Sequence, residues 1–158
     1  MEEKAVIQIG EYAKDFTLQD QHGKDFVLSS AKGMRVLLSF HPLAWTPVCA
    51  RQMQTLESHR DVFDRLKTIP LGLSVDSVPC KNAWAKSLNI QHTKLLADFW
   101  PHGEVASQLG LFRQQDGISE RANVILDEEG KAVFVKVYPM NDLPPIDEII
   151  AFCEKSLS

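Results

Sequence analysis

The chain has 158 residues, 44% of them hydrophobic and 24% charged, which is the profile of an ordinary soluble globular protein folding as one domain over residues 1–158. A net charge of −4 argues against nucleic acid or an anionic membrane as partner, and no apolar stretch approaches the roughly 20 residues of a bilayer span. The N-terminus lacks the basic and apolar regions of a signal peptide, and three cysteines without close pairing suit a reducing compartment, so the expected location is cytoplasmic.

In chain order, Asp15–Asp20 and Asp25–Ser29 alternate polar and apolar residues around Gln21-His22-Gly23-Lys24, a pattern that predicts a β-hairpin. Arg35–Phe40 reads as a buried central strand. From Thr46 to about Leu66, the apolar residues Met53, Leu56, Phe63 and Leu66 recur at helical spacing. Ile69–Val75 is a second buried strand, Pro79–Leu88 a second helix, and Gly103–Leu109 a shorter one. Ala122–Asp127 and Ala132–Val137 flank Glu128-Glu129-Gly130-Lys131 as another hairpin. A last helix carries Ile146, Ile149, Ile150, Cys153 and Leu157 on one face. This order predicts an α/β thioredoxin-like fold, a central mixed sheet flanked by helices, with an extra N-terminal hairpin.

The chemistry concentrates at Cys49. Thr46 suits a helix N-cap and Pro47 the first helical position, so Cys49 falls in the first turn, past the end of the Arg35–Phe40 strand. Orphan N–H groups and the positive end of the helix dipole converge there, a setting that favours a thiolate. Ligands in open α/β sheets bind beyond the carboxyl ends of strands, which is the same place. Three residues on stands Gln52, not a second cysteine, and this turns the reading away from Cys-x-x-Cys disulfide exchange. A lone activated thiol suits attack on a hydroperoxide to give a sulfenic acid. Arg51 and Arg121 are the two candidate cations for the site.

His41-Pro42-Leu43-Ala44-Trp45-Thr46-Pro47-Val48-Cys49 resembles the Pro-x-x-x-Thr-x-x-Cys motif of the peroxiredoxins, the AhpC/TSA family. The similarity runs from about Ile9 to Ile150 and includes Ser74-Val75-Asp76-Ser77 with Trp84, Ala97–Gly103, and Gly117–Ala122. It is nearest the one-cysteine-like bacterial AhpE/BCP-type subgroup. The resemblance implies a thiol-dependent peroxidase in which Cys49 is the peroxidatic nucleophile and Thr46 hydrogen-bonds thiolate and peroxide. Pro42 would shield the thiolate, and Arg121 would stabilise it and orient the substrate. It also implies a hydroperoxide substrate, a thioredoxin-like or other thiol reductant, and a homodimer. The chain departs from the family at His41, where tyrosine is frequent, and at Gln52, where glutamate is frequent. His41 is read either as a group titrating near neutral pH or as a fixed neutral hydrogen-bond partner.

Cys80, near the start of the second helix, has two readings. It is a resolving thiol, as the corresponding helix supplies in some peroxiredoxins, or one member of a buried Cys80-Trp84-Leu88 stripe in a one-cysteine enzyme. Cys153 reads as core. The histidines are dispersed without zinc-ligand spacing, and phosphate-loop and serine-elbow motifs are lacking, so no cofactor or metal is expected.

Overall fold

A computed structural model describes residues 4–156. Its centre is a five-stranded sheet built from β3 (Arg35–Phe40), β4 (Thr68–Ser74), β5 (Lys94–Ala97), β8 (Arg121–Leu126) and β9 (Ala132–Tyr138), in the order β5-β4-β3-β8-β9. The first three run parallel, and β8 joins β3 antiparallel with Ser39 opposite Asn123 and Phe40 opposite Ala122. β1 (Thr17–Gln19) and β2 (Asp25–Val27) form the N-terminal hairpin as expected, with Gly23 supplying the positive φ of its turn. β6 (Phe112–Arg113) and β7 (Ile118–Ser119) form a small third ladder just ahead of β8. The helices are α1 (Pro47–Ser58), α2 (Arg60–Arg65), α3 (Val78–Ser87), α4 (Glu104–Gln108) and α5 (Ile146–Ser156). Among the described residues, no helix is long and apolar enough to cross a membrane.

Alternation along the strands divides the core. Val36, Leu38 and Phe40 of β3 and Ala122, Val124 and Leu126 of β8 pack with the hairpin residues Phe16 and Phe26 and with α4. Leu37 and Ile125 face the opposite way, into a cluster with Met53, Leu56, Phe63, Trp84 and Ile149 from the other helices. Each fully buried Leu, Met or Phe contributes about 1.5–3 kcal/mol of apolar transfer free energy, so the two clusters clamp the sheet from both sides. The second face decides the chemistry, because Ser39, His41 and Arg121 share the strand parity of Leu37 and Ile125.

Three expectations change. The helix foreseen over 46–66 breaks at His59, whose φ of −105° and ψ of 15° leave the helical basin. Ser58 Oγ (3.0 Å) and His59 Nδ1 (2.8 Å) both reach back to the Thr55 carbonyl, competing with the helical ladder where the break occurs. On α3 the buried residues are Lys81, Trp84 and Ala85, so the stripe is rotated one position from Cys80-Trp84-Leu88, and Cys80 sits half-buried at its margin. β5 was not foreseen; its four residues are too few to show alternation. On α5, Ile149 and Cys153 are buried and Ile146 and Ile150 half-buried, while Leu157 lies outside the described residues.

Candidate active site

β3 ends at Phe40 and delivers His41 and Pro42, both buried, into the loop that leads to α1. Trp45 takes a φ of 67°, a left-handed conformation costly for a bulky residue, of order 1–3 kcal/mol. The loop is held in that shape by Asp76, which follows β4: its Oδ2 accepts from the Ala44 N–H at 2.8 Å and from Ser74 Oγ at 2.5 Å. Thr46 then takes the N-cap position with extended backbone and Pro47 opens the helix, as the sequence predicts. The Thr46 side chain, however, does not cap. Its hydroxyl donates to the Leu43 carbonyl at 2.8 Å, so it tightens the loop instead of accepting from the first turn.

Cys49 follows in that turn and is 0% exposed. Helix α1 can lie close to the sheet because β4 offers Gly72 beneath it: a Cβ there would stand 2.3 Å from Met53 Sδ, four residues beyond Cys49. Of the two candidate cations, the structure selects one. Arg51 is exposed, whereas Arg121 is 3% exposed and its Nη1 donates to Cys49 Sγ at 3.4 Å. The same Nη1 donates to Gln52 Oε1 at 2.7 Å, and Nε donates to the Met140 carbonyl at 3.0 Å.

Gln52 is the residue whose role the sequence left open, and its geometry explains it. Its amide nitrogen donates to Ser39 Oγ (2.7 Å) and the Phe40 carbonyl (3.2 Å), which fixes the orientation of the oxygen that receives Arg121. A neutral amide holds the guanidinium without neutralising it. Among the described residues no carboxylate lies within ion-pair distance of Arg121, so its charge is directed to the sulfur. A charge-assisted hydrogen bond of this kind is roughly twice as strong as a neutral one.

Cys80 is placed on the far side of the same loop. Its Sγ lies 3.7 Å from Asp76 Oδ1, and its N–H donates to the Ser77 Oγ cap at 3.3 Å. Burial pushes its thiol up and the Asp76 carboxylate adds to this, while the Trp45 side chain works in the opposite direction. The three cysteines are free. The structure thus brings Arg121, Gln52 and Cys49 into contact and ties Cys80 to the Pro42–Thr46 loop through Asp76. Asp76 and Lys81 were not singled out from the sequence; Asp76 was visible only as a member of the Ser74–Ser77 segment. Among the described residues no group of three His, Cys, Asp or Glu side chains is arranged to hold a metal ion.

Comparison with known proteins gives the chain its family. The AhpC/TSA family model matches residues 9–135. The chain is 35% identical to alkyl hydroperoxide reductase E of Mycobacterium tuberculosis (strain ATCC 25618 / H37Rv) over 133 residues, 84% of this chain and 86% of that protein. Its fold is similar to that of the reduced 2-Cys peroxiredoxin of Plasmodium vivax, with a TM-score of 0.85 and 27% identity over 94% of this chain and 81% of the other. It is also similar to peroxidoxin BcpB of Mycobacterium tuberculosis, with a TM-score of 0.83 and 26% identity over 94% and 97% of the two chains. The family model spans most of the chain and the mycobacterial relative is 35% identical over 84% of it, and on that ground this chain belongs to the AhpC/TSA family, the peroxiredoxins.

Proposed function

We propose that this protein is a thiol-dependent peroxidase that reduces hydrogen peroxide and organic hydroperoxides through a sulfenic acid at Cys49. The observation that carries the assignment is the Arg121 guanidinium 3.4 Å from Cys49 Sγ, oriented by Gln52 and, among the described residues, with no carboxylate in ion-pair distance. The Cys49 thiolate attacks the distal oxygen of ROOH, the O–O bond breaks, and the leaving RO⁻ takes up a proton as water or alcohol. Arg121 and the N–H groups of the first turn of α1 stabilise the charge developing on the oxygens. Pro42 covers the thiolate from water, and Thr46 donates to peroxide after turning its hydroxyl from the Leu43 carbonyl. No cofactor takes part in these steps.

Cys80 is the second thiol in this scheme. It condenses with the sulfenic acid, forming the disulfide and releasing water, and a thioredoxin-like or other dithiol reductant restores both cysteines. Cys49 is 0% exposed, so the exchange requires the loop over it to open. Two features support that motion: the strained Trp45, and Asp76, whose carboxylate holds the loop at the Ala44 N–H and also meets Cys80 Sγ. Exposed Trp45, Phe99 and Trp100 give the same end of the molecule an apolar surface suited to a homodimer, in the cytoplasm. Intact-mass analysis and peptide mapping after one equivalent of peroxide test the scheme. A Cys49–Cys80 disulfide is expected, a persistent Cys49 sulfenic acid would assign a one-cysteine cycle, and unmodified protein at micromolar peroxide would contradict the assignment.

A further inference from the structure

Lys81 is 0% exposed, and among the described residues no carboxylate lies within ion-pair distance of its ammonium. Its Nζ lies instead 3.3 Å from Nε2 of His41, which is also 0% exposed. The imidazole has little freedom to turn away. Its ring packs against that of Trp84, one turn beyond Lys81 on α3, with centroids 5.3 Å apart and planes tilted by 37°, and its Cε1 lies beside Gly72. The His41 backbone is pinned as well, its N–H donating to the Leu73 carbonyl (3.0 Å) and its carbonyl accepting from Ser119 Oγ (3.3 Å).

An ammonium has three protons and no lone pair, so at this contact it donates. Nε2 must then be the bare nitrogen, and the ring proton sits on Nδ1, which makes no well-formed hydrogen bond and has only the Ser39 carbonyl to favour its charged form. A second proton on the ring would set two cations against each other in a dry pocket. The pair therefore carries one positive charge, and it rests on Lys81. That restriction matters because His41 adjoins Pro42 and follows, just past the end of β3, two residues after Ser39, the hydroxyl that orients Gln52 and, through it, Arg121. A charge arriving on the imidazole would repel Arg121 from the back of the site.

We propose that Lys81 is a positioning residue that fixes His41 as the Nδ1-protonated tautomer and, together with burial, keeps it neutral, so that the Cys49 site is insensitive to histidine titration as pH falls below neutral.

The surroundings agree. Burial holds His41 well below the usual imidazole range, with Lys81 and then Arg121 adding to the effect. Burial also pulls Lys81 down to about 8, while Asp76 and Cys80 at the head of α3, Cys49 on α1 and Asp98 after β5 favour its charged form. The ammonium is thus in place through the neutral and acid range, and it is lost as pH rises through that value.

The test is a nitrogen and proton NMR titration of the His41 ring between pH 5 and 8, in the wild-type protein and in Lys81→Met and Lys81→Gln, beside the rate of Cys49 oxidation by hydrogen peroxide. In the wild type the ring is expected to stay neutral with its proton on Nδ1. Lys81→Gln keeps a donor to Nε2 and so keeps that tautomer. Lys81→Met loses it, gains a protonation step on the acid side and acquires a matching step of roughly threefold to tenfold in rate. A wild-type ring that titrates, or that carries its proton on Nε2, overturns the proposal without reference to any variant. So does a Lys81→Met ring that keeps the wild-type tautomer. The kinetic arm alone rests on the peroxidase reading, and the ring titration stands whether or not Cys49 is the peroxidatic residue.

Discussion

Two buried cysteines of this molecule each have a buried arginine beside them, and in the proposed mechanism only one of them reacts. Cys49 and Cys153 are both 0% exposed and belong to the same apolar cluster, and Arg121 and Arg35 are each 3% exposed. Arg35 gives its side-chain hydrogen bonds to the Cys153 carbonyl at 2.9 Å, the Leu66 carbonyl at 2.7 Å and the Ser156 hydroxyl, so none of them goes to the sulfur. What the Cys153 thiol meets directly is Thr68 Oγ1 at 3.9 Å, and burial pushes the thiol up despite Thr68 and Arg35. Arg121 gives a hydrogen to Cys49 itself. Cys153 meets a neutral hydroxyl at 3.9 Å, whereas Cys49 has a charged donor at 3.4 Å and a place in the first turn of a helix, the setting our proposal requires of a nucleophile.

This contrast can be broken from either side. The largest effect is expected for Cys49→Ser, which should abolish peroxide consumption in a stopped-flow assay while leaving the fold intact. Arg121→Met should lower the second-order rate with peroxide by about 10²–10³-fold, the usual cost of removing a donor to developing charge. Gln52→Ala leaves Arg121 held through the Met140 carbonyl, losing a buried hydrogen bond worth about 1–3 kcal/mol, so its rate should fall roughly tenfold. Cys80→Ser should leave the first oxidation at the wild-type rate and abolish the disulfide. The smallest catalytic effect belongs to Cys153→Ala: an unchanged rate, with a loss of about 1 kcal/mol in a denaturant titration.

Much of the frame behind these expectations was legible in the sequence. The two hairpins, the central strand, the N-terminal turn of α1 and the cysteine in it rest on local signals: alternation, a Gly turn, an N-cap and a following proline. The remainder depends on contacts far apart in sequence. Nothing local chooses between Arg51 and Arg121; the choice follows from β8 lying antiparallel to β3 with Arg121 on the parity of Ile125. Gln52 registered only as a missing glutamate or cysteine, because its role needs Ser39 and Arg121 on two neighbouring strands. Lys81 was passed over because a lysine on a short helix reads as solvated surface, and its burial follows from the rotation of α3 that turns Trp84 and Ala85 inward. The break at His59 comes from two side chains that bind the same carbonyl, a competition that apolar spacing does not register.

The central claim is that the charged donor on the sulfur, and not burial, selects the reacting cysteine. It is tested most directly by mapping which cysteine is oxidised first at substoichiometric peroxide in the wild type and in Arg121→Met. The account predicts oxidation at Cys49 alone in the wild type and loss of that preference in the variant, with Cys153 unmodified in both. Oxidation of Cys49 at the wild-type rate in Arg121→Met, or first oxidation at Cys80 or Cys153 in the wild type, would contradict it.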